Sequence, residues 1–109
     1  YGLAEASLCV TMQPPGEALK YERISRAALA QEGLAVAVGG TGQIEDAHQG
    51  TDTTLVGDCG PVVDGTRIRI LDDLGRALPE GHVGSIWISG PSITQGYYDL
   101  PDETSSALK

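Results

Sequence analysis

Two short stretches whose side chains alternate with period two constrain this chain most. Thr66-Arg67-Ile68-Arg69-Ile70 puts Ile68 and Ile70 on one face and Arg67 and Arg69 on the other. Gly84-Ser85-Ile86-Trp87-Ile88-Ser89 repeats the pattern, with Ile86 and Ile88 sharing a face. A helix would scatter such positions around its axis; a strand lines them up. The turn signals Asp72-Asp73-Leu74-Gly75 and Pro79-Glu80-Gly81 lie between the two stretches, and Gly90-Pro91 closes the second. From Leu55 onward the chain therefore reads as strands and turns, a small twisted antiparallel β unit.

The first half is mixed. Leu8-Cys9-Val10-Thr11-Met12 is an apolar run of strand formers, ended by Pro14-Pro15-Gly16. Residues 20–26 are charged and mixed. A helix is predicted over residues 25–31. Ser25 can accept from the free amides of its first turn. Ile24 and Leu29 can lie either side of that cap as a hydrophobic staple, and Gly33 suits the left-handed position after the last turn. Residues 34–38 are apolar and read as a strand, which Gly39-Gly40-Thr41-Gly42 breaks. Residues 43–54 read as a polar loop. The tail, residues 101–109, reads as the start of a helix, with Asp102 and Glu103 complementing its dipole. The expected class is α+β, mostly β.

Composition narrows the function. The formal charge of −8 argues against nucleic acid and anionic membrane surfaces, which select clustered Lys and Arg. No stretch approaches the roughly 18 to 20 apolar residues of a membrane span. The expected location is cytoplasmic. With no Phe, one Trp and 15 Gly, a strong independent core is hard to build. The chain begins with Tyr1, without an initiator Met or a leader, and reads as an internal piece. Cys9 and Cys59 lack metal-ligand spacing and read as reduced thiols, with a disulfide as the alternative. Cys59, in Asp58-Cys59-Gly60-Pro61, reads as a buried small residue at a bend.

Two segments resemble the superfamily of acyl-AMP-forming enzymes: acyl-CoA synthetases, peptide-synthetase adenylation domains, luciferases and fatty acyl-AMP ligases. Tyr1-Gly2-Leu3-Ala4-Glu5 looks like its Tyr-Gly-x-Thr-Glu motif. Residues 78–104 look like its pattern Leu-Pro-x-Gly-x-x-Gly-Glu-Ile, then Gly-Pro, Gly-Tyr and Pro-Glu-x-Thr. Gly57-Asp58-Cys59-Gly60-Pro61 matches the bend before a strand. In ordinary acyl-CoA synthetases the first motif and this bend lie close together; here residues 6–56 separate them. Fatty acyl-AMP ligases resemble the chain better, because they read Ala-Glu, as Ala4-Glu5 does, and carry an insertion after it. The departures are Ser85 in place of Glu, a surface change, and Ala4 in place of Thr, which removes a phosphate-contacting hydroxyl.

The resemblance implies a distorted-barrel β subdomain of an adenylate-forming enzyme, divided as residues 1–11 (nucleotide motif), 12–53 (inserted segment with a short helix), 54–100 (antiparallel β subdomain) and 101–109 (start of a helix). It implies a parent enzyme that joins a fatty acid to AMP from ATP, with Mg2+, and passes the acyl group to an acyl carrier protein or polyketide synthase. The remaining domains of the same enzyme are further partners. Tyr1, Gly2, Leu3, Ala4 and Glu5 would bind ATP or AMP. Tyr1 would stack on adenine, against the alternative of a core or edge aromatic. Gly2 would let backbone approach the nucleotide, or is a plain turn glycine. Glu5 would be the catalytic carboxylate, holding Mg2+ near the α- and β-phosphates, against a solvated surface Glu. The inserted segment would limit acyl-CoA formation.

Other polar residues read as structural. Ser7 caps a turn or meets phosphate, with the turn favoured. His48 and His82 are surface histidines, and Arg67 and Arg69 face solvent or pair with Asp72 or Asp73. The sequence lacks a Gly/Ser/Thr-rich phosphate loop followed by Lys, the ribose-binding Thr-Gly-Asp and the catalytic Lys of a C-terminal domain. The 109 residues alone are therefore expected to be inactive. The competing readings are an acyl-CoA synthetase or peptide-synthetase adenylation domain and, from another class, a stand-alone β binding module.

Overall fold

The local signals around Ser25 are strong enough to fix a helix. In the computed structural model, which describes residues 1–39 and 52–108, helix α1 spans Arg26–Glu32. The Ser25 side chain accepts from the Ala28 amide at 3.3 Å, satisfying a donor the first turn leaves free. Gly33 ends the helix at φ 63°, the left-handed region that favours glycine. His48, Gly40-Thr41-Gly42, most of the loop at 43–54 and Lys109 lie outside the described residues.

The strands arrive in two antiparallel pairs. Strand β1 (Tyr21–Ser25) pairs with β2 (Thr53–Gly57), Tyr21 opposite Gly57 and Ser25 opposite Thr53. Strand β3 (Arg67–Leu71) pairs with β4 (Ser85–Ser89), Ile68 opposite Ile88 and Ile70 opposite Ile86. The turn after β3 is built by Asp72. Its carboxylate accepts from the amides of Leu74 and Arg76 at 2.9 and 2.8 Å, and Gly75 takes φ 76°. Helix α2 (Pro101–Ala107) closes the described chain, with Pro101 in its first turn and Asp102 and Glu103 beside it. The fold is mostly β and antiparallel, with few and short helices, as expected.

Four local expectations shift. The charged stretch 20–26 contains strand β1, because the partners that complete its ladder, residues 53–57, lie some thirty positions away. Residues 34–38 form no full strand. They bond along the other edge of β1, Ser25 N to Val36 O at 2.9 Å and Val38 N to Arg23 O at 2.8 Å, with one bridge, Ile24 to Ala37. The apolar run 8–12 keeps only the bridge Thr11 to Val62. Its partner segment begins at Pro61, which has no amide to donate and so stops the ladder. Cys59 is exposed rather than buried. In that bend Gly60 is the packed residue: at φ 84°, its added Cβ would lie 2.6 Å from the backbone of Met12 and Gln13.

The buried apolar residues among those described are Ala6, Val10 and Ile24. The Cα radius of gyration is 16.6 Å, against about 13 Å for a compact domain of roughly this length. The two ladders therefore do not wrap one shared core. Single contacts link them: Ala35 N to Gly81 O at 2.7 Å and Val83 N to Gly33 O at 2.8 Å.

Candidate functional site

The first eleven residues fold back on themselves. The Tyr1 carbonyl accepts from the amides of Val10 and Thr11, both at 3.0 Å, and the Leu3 carbonyl from those of Ala6 and Leu8. A single 3-10 turn over Ala4–Ala6 makes the reversal. Ser7 and Leu8 then take φ values of 53° and 76°, a conformation costing non-glycine residues about 1–3 kcal/mol each. Burial of Ala6 and Val10, at 1% and 0% exposure, anchors the loop and holds that strain. Gly2 is the point of closest approach: a Cβ there would lie 1.4 Å from the Leu8 carbonyl oxygen. The absent side chain of Gly2 is thus used by the protein's own backbone.

This loop is tied to the segment that follows β4. Thr94 N donates to the Glu5 carbonyl at 2.8 Å. Ser7 Oγ donates to the Ser92 carbonyl at 3.1 Å, so its hydroxyl ties the loop to this segment. The Tyr97 hydroxyl donates to Glu5 Oε1 at 2.5 Å. Tyr97 is itself fixed from α2: its amide donates to Thr104 Oγ1 at 2.9 Å, and that hydroxyl donates on to the Leu100 carbonyl at 2.8 Å. Gly96 permits the approach, since its added Cβ would sit 3.0 Å from Thr104 Cγ2.

Ala4, Glu5, Thr94, Gly96 and Tyr97 line a cavity of about 200 Å3. The Tyr97 bond, and then the backbone amide of Glu5 itself, hold the Glu5 carboxyl below the usual carboxylate range, against a smaller opposing effect of burial. The same bond pushes the Tyr97 phenol up. Glu5 is therefore an ionised carboxylate at neutral pH, aimed by a phenol donor. Tyr1 stands at the other end of the motif, half exposed, with its ring accessible.

The five candidate residues, Tyr1, Gly2, Leu3, Ala4 and Glu5, thus lie on one folded-back loop. The structure adds Thr94, Gly96 and Tyr97, whose side chains or backbone meet it. Gly96-Tyr97 belongs to the stretch that resembles the family pattern, but nothing local in the sequence assigns it a role beside Glu5, 92 positions away. Away from this site, His82 is exposed and its Nδ1 lies 3.4 Å from the Glu80 carbonyl. Arg67 and Arg69 are exposed, and Asp72 takes Arg76 as its ion-pair partner at 2.8 Å. Cys9 and Cys59 are free thiols.

Among the described residues no group of three or more His, Cys, Asp and Glu is placed to hold a metal ion. A resident cage is thus not built here. Mg2+, however, takes one or two carboxylates together with substrate phosphates, and one ionised carboxylate at a loop fits that manner of binding. Among the described residues no helix is long and apolar enough to cross a membrane.

Comparison with known proteins decides the family. Residues 1–98 match the family described as AMP-binding enzyme. The chain belongs to the AMP-binding enzyme family. It is 30% identical over 110 residues to the medium-chain-fatty-acid–[acyl-carrier-protein] ligase JamA of Moorena producens, covering 99% of this chain and 17% of that protein. It is 40% identical over 58 residues to the medium/long-chain-fatty-acid–CoA ligase FadD8 of Mycobacterium tuberculosis, covering 53% of this chain and 10% of that one. A solved structure from work on fatty acyl-adenylate ligases of E. coli and L. pneumophila superposes with a TM-score of 0.79 at 29% identity, over 98% of this chain and 18% of its own. The chain thus spans less than a fifth of the length of these relatives. The antiparallel fold of this AMP-binding chain is that of adenylate-forming enzymes.

Proposed function

We propose that the protein carrying this chain is an ATP-dependent fatty acid ligase of the fatty acyl-AMP type, acting in the cytoplasm in lipid or polyketide biosynthesis. The fatty acid carboxylate attacks the α-phosphorus of ATP and pyrophosphate leaves; the phosphopantetheine thiol of an acyl carrier protein or polyketide synthase then attacks the acyl carbon of acyl-AMP, losing its proton as AMP leaves. The observation that carries the reading is the meeting of two motifs: the motif loop, residues 1–7, and residues 92–97 share three hydrogen bonds and one cavity.

In this reading Tyr1 offers its ring to adenine, and the backbone of Gly2, Leu3 and Ala4 faces the nucleotide. Glu5 ligates the Mg2+ that accompanies ATP. That ion, when bound, neutralises phosphate charge as pyrophosphate departs. The chain's own contribution is to hold an ionised carboxylate in a fixed orientation. JamA, whose name carries an acyl-carrier-protein acceptor, aligns over 99% of the chain and supports the carrier-protein acceptor. FadD8, a CoA ligase by name, and a putative acyl-CoA synthetase of Caulobacter vibrioides, 34% identical over 99% of the chain, support a second reading in which coenzyme A is the acceptor.

The inserted segment, residues 12–53, bears on that choice. It carries β1 and α1, and its Gly33 and Ala35 bond to the turn at residues 81–83. Val36 and Val38 remain exposed. An apolar surface of this kind is suited to bias a domain rotation whose end states differ by a few kcal/mol, restraining the orientation that accepts coenzyme A. The deciding experiment supplies the full-length protein with fatty acid, ATP and Mg2+. Pyrophosphate release is measured first; holo-acyl carrier protein and coenzyme A are then offered as acceptors. The expected outcome is pyrophosphate release with transfer to the carrier protein, and acyl-CoA only after deletion of residues 13–52. Transfer to coenzyme A by the undeleted protein selects the second reading, and absence of pyrophosphate release with any fatty acid overturns both.

A further inference from the structure

The Glu5 carboxylate is not merely present on its loop; it is held. Oε1 is committed to the Tyr97 hydroxyl at 2.5 Å across 92 positions of sequence. Among the described residues, the Tyr97 hydroxyl is the side-chain donor to this carboxylate. The backbone of Tyr97 is fixed in its turn. Its amide is pinned by Thr104 Oγ1, which is pinned by the Leu100 carbonyl one turn earlier. Its neighbour Gly96 is packed against the Thr104 side chain. The line Leu100–Thr104–Tyr97–Glu5 therefore runs from the first turn of α2 to one oxygen of the candidate metal-binding carboxylate.

We propose that Tyr97 is a positioning residue: its hydroxyl holds Glu5 Oε1, sets the rotamer of the carboxylate, and leaves Oε2 for the divalent cation that accompanies a nucleoside triphosphate. This rests on the reading of Glu5 given under Proposed function and adds a second residue to it. A carboxylate on an exposed loop samples several rotamers, and a hard, six-coordinate cation with strict geometry selects one. A donor that selects that rotamer in advance removes the ordering cost from the binding step. Outer groups that orient a metal ligand in this way typically change metal affinity by about 10- to 100-fold when removed.

The competing explanation is a plain clamp, in which the phenol only ties residues 92–97 to the motif loop. Two other hydrogen bonds do that tying without touching the carboxylate: Ser7 Oγ to Ser92 O and Thr94 N to Glu5 O. Ser7→Ala is therefore the control for a clamp.

The experiment uses the full-length protein and ATP without fatty acid, so that no chemistry occurs. Mn2+ serves as the probe, its binding to the protein–ATP complex followed by electron paramagnetic resonance. Glu5→Gln, Tyr97→Phe and Ser7→Ala are compared, with a thermal melt of each. Tyr97→Phe is expected to weaken Mn2+ binding about tenfold, at the low end of outer-group effects, and, in a separate assay with fatty acid added, to raise the Mg2+ requirement of pyrophosphate release. Ser7→Ala leaves Mn2+ affinity unchanged. Glu5→Gln weakens it more than Tyr97→Phe does. Should Tyr97→Phe fold poorly, Glu5→Asp keeps the charge and withdraws it from the phenol, and is expected to show a comparable loss. If Glu5→Gln weakens Mn2+ binding and Tyr97→Phe does not, the positioning role is wrong while the reading of Glu5 stands. If Ser7→Ala and Tyr97→Phe weaken it equally, the phenol is only a clamp. If Glu5→Gln leaves it unchanged, the reading of Glu5 fails and this one with it.

Discussion

The two ladders have the same size and sense, five antiparallel pairs each, but very different surroundings. Strand β1 is bordered by β2 on one edge and by residues 36–38 on the other. Helix α1 follows directly and is tied back to β2, Arg26 N to Asp52 O and Arg26 Nε to Thr53 O, both at 2.9 Å. Ile24, in the middle, is 3% exposed. Strand β4 has the better alternation, yet Ile86 is 49% exposed and Trp87, on the opposite face, 39%. Alternation tells which residues share a face. It does not tell whether anything covers that face, and here the more regular strand is the barer one.

Most of what was legible in the sequence follows from that distinction. Short-range devices could be read: the Ser25 cap, Gly33 at the helix end, the Asp72 turn, the period of β3 and β4, and Pro101 at the start of α2. Each is set by residues within a few positions of one another. Strand β1 could not, because Lys20-Tyr21-Glu22-Arg23 has no apolar period and its ladder is made by residues 53–57. The candidate site divides the same way. Glu5 was readable from its motif, but the Tyr97 hydroxyl that meets it comes from 92 positions away, and no local pattern links a Tyr to a Glu over that distance. The cramped backbone beside Gly2, created by Leu8, was equally out of reach.

The comparison is tested most severely by paired truncations. Ile24→Ala is expected to destabilise the chain by about 2–5 kcal/mol, the range for a buried aliphatic cut back to Ala. Ile86→Ala, with half its surface already in water, is expected to cost under about 1 kcal/mol by the same area argument. Urea unfolding of the two variants beside the parent checks this. Equal losses would mean that β4 is covered as fully as β1. If the loss at Ile86 grows in the full-length protein, another part of that protein lies over β4.

A smaller effect is expected at Gly84, where β4 begins. An added Cβ would lie 2.5 Å from the Leu71 carbonyl oxygen, 2.6 Å from Leu78 Cδ1 and 3.0 Å from Ile70 Cγ2. The Leu78 contact can be relieved by rotation; the backbone contact cannot. Gly84→Ala should therefore cost about 1–3 kcal/mol, as overpacking usually does. Amide exchange should quicken in β3 and β4 and stay unchanged in β1. Faster exchange in both ladders would show that the single bonds at residues 33–35 and 81–83 couple them more tightly than their spacing implies.

The smallest effect is electrostatic and belongs to the turn after β3. The Asp72 carboxylate accepts from the Arg76 and Leu74 amides and pairs with the Arg76 guanidinium at 2.8 Å. The Arg76 amide is the main cause holding its carboxyl below the usual range, with the Arg76 side chain and the Leu74 amide adding to it and burial opposing. A carboxyl depressed in the folded state binds its proton more weakly there than in the unfolded chain. Its contribution is thus fully present above the unfolded value of about 3.9 and is lost as pH falls through the lower folded value. Asp72→Asn keeps the shape and removes the charge. The parent should melt above this variant at pH 6, and the gap should begin to close as pH drops below about 4, where the unfolded chain's carboxyl gains its proton. The Arg76 side chain is largely exposed, so salt should also narrow the gap at pH 6. A gap that persists unchanged at pH 3 would assign the turn to the shape of residue 72 and to Gly75, with no part played by its charge.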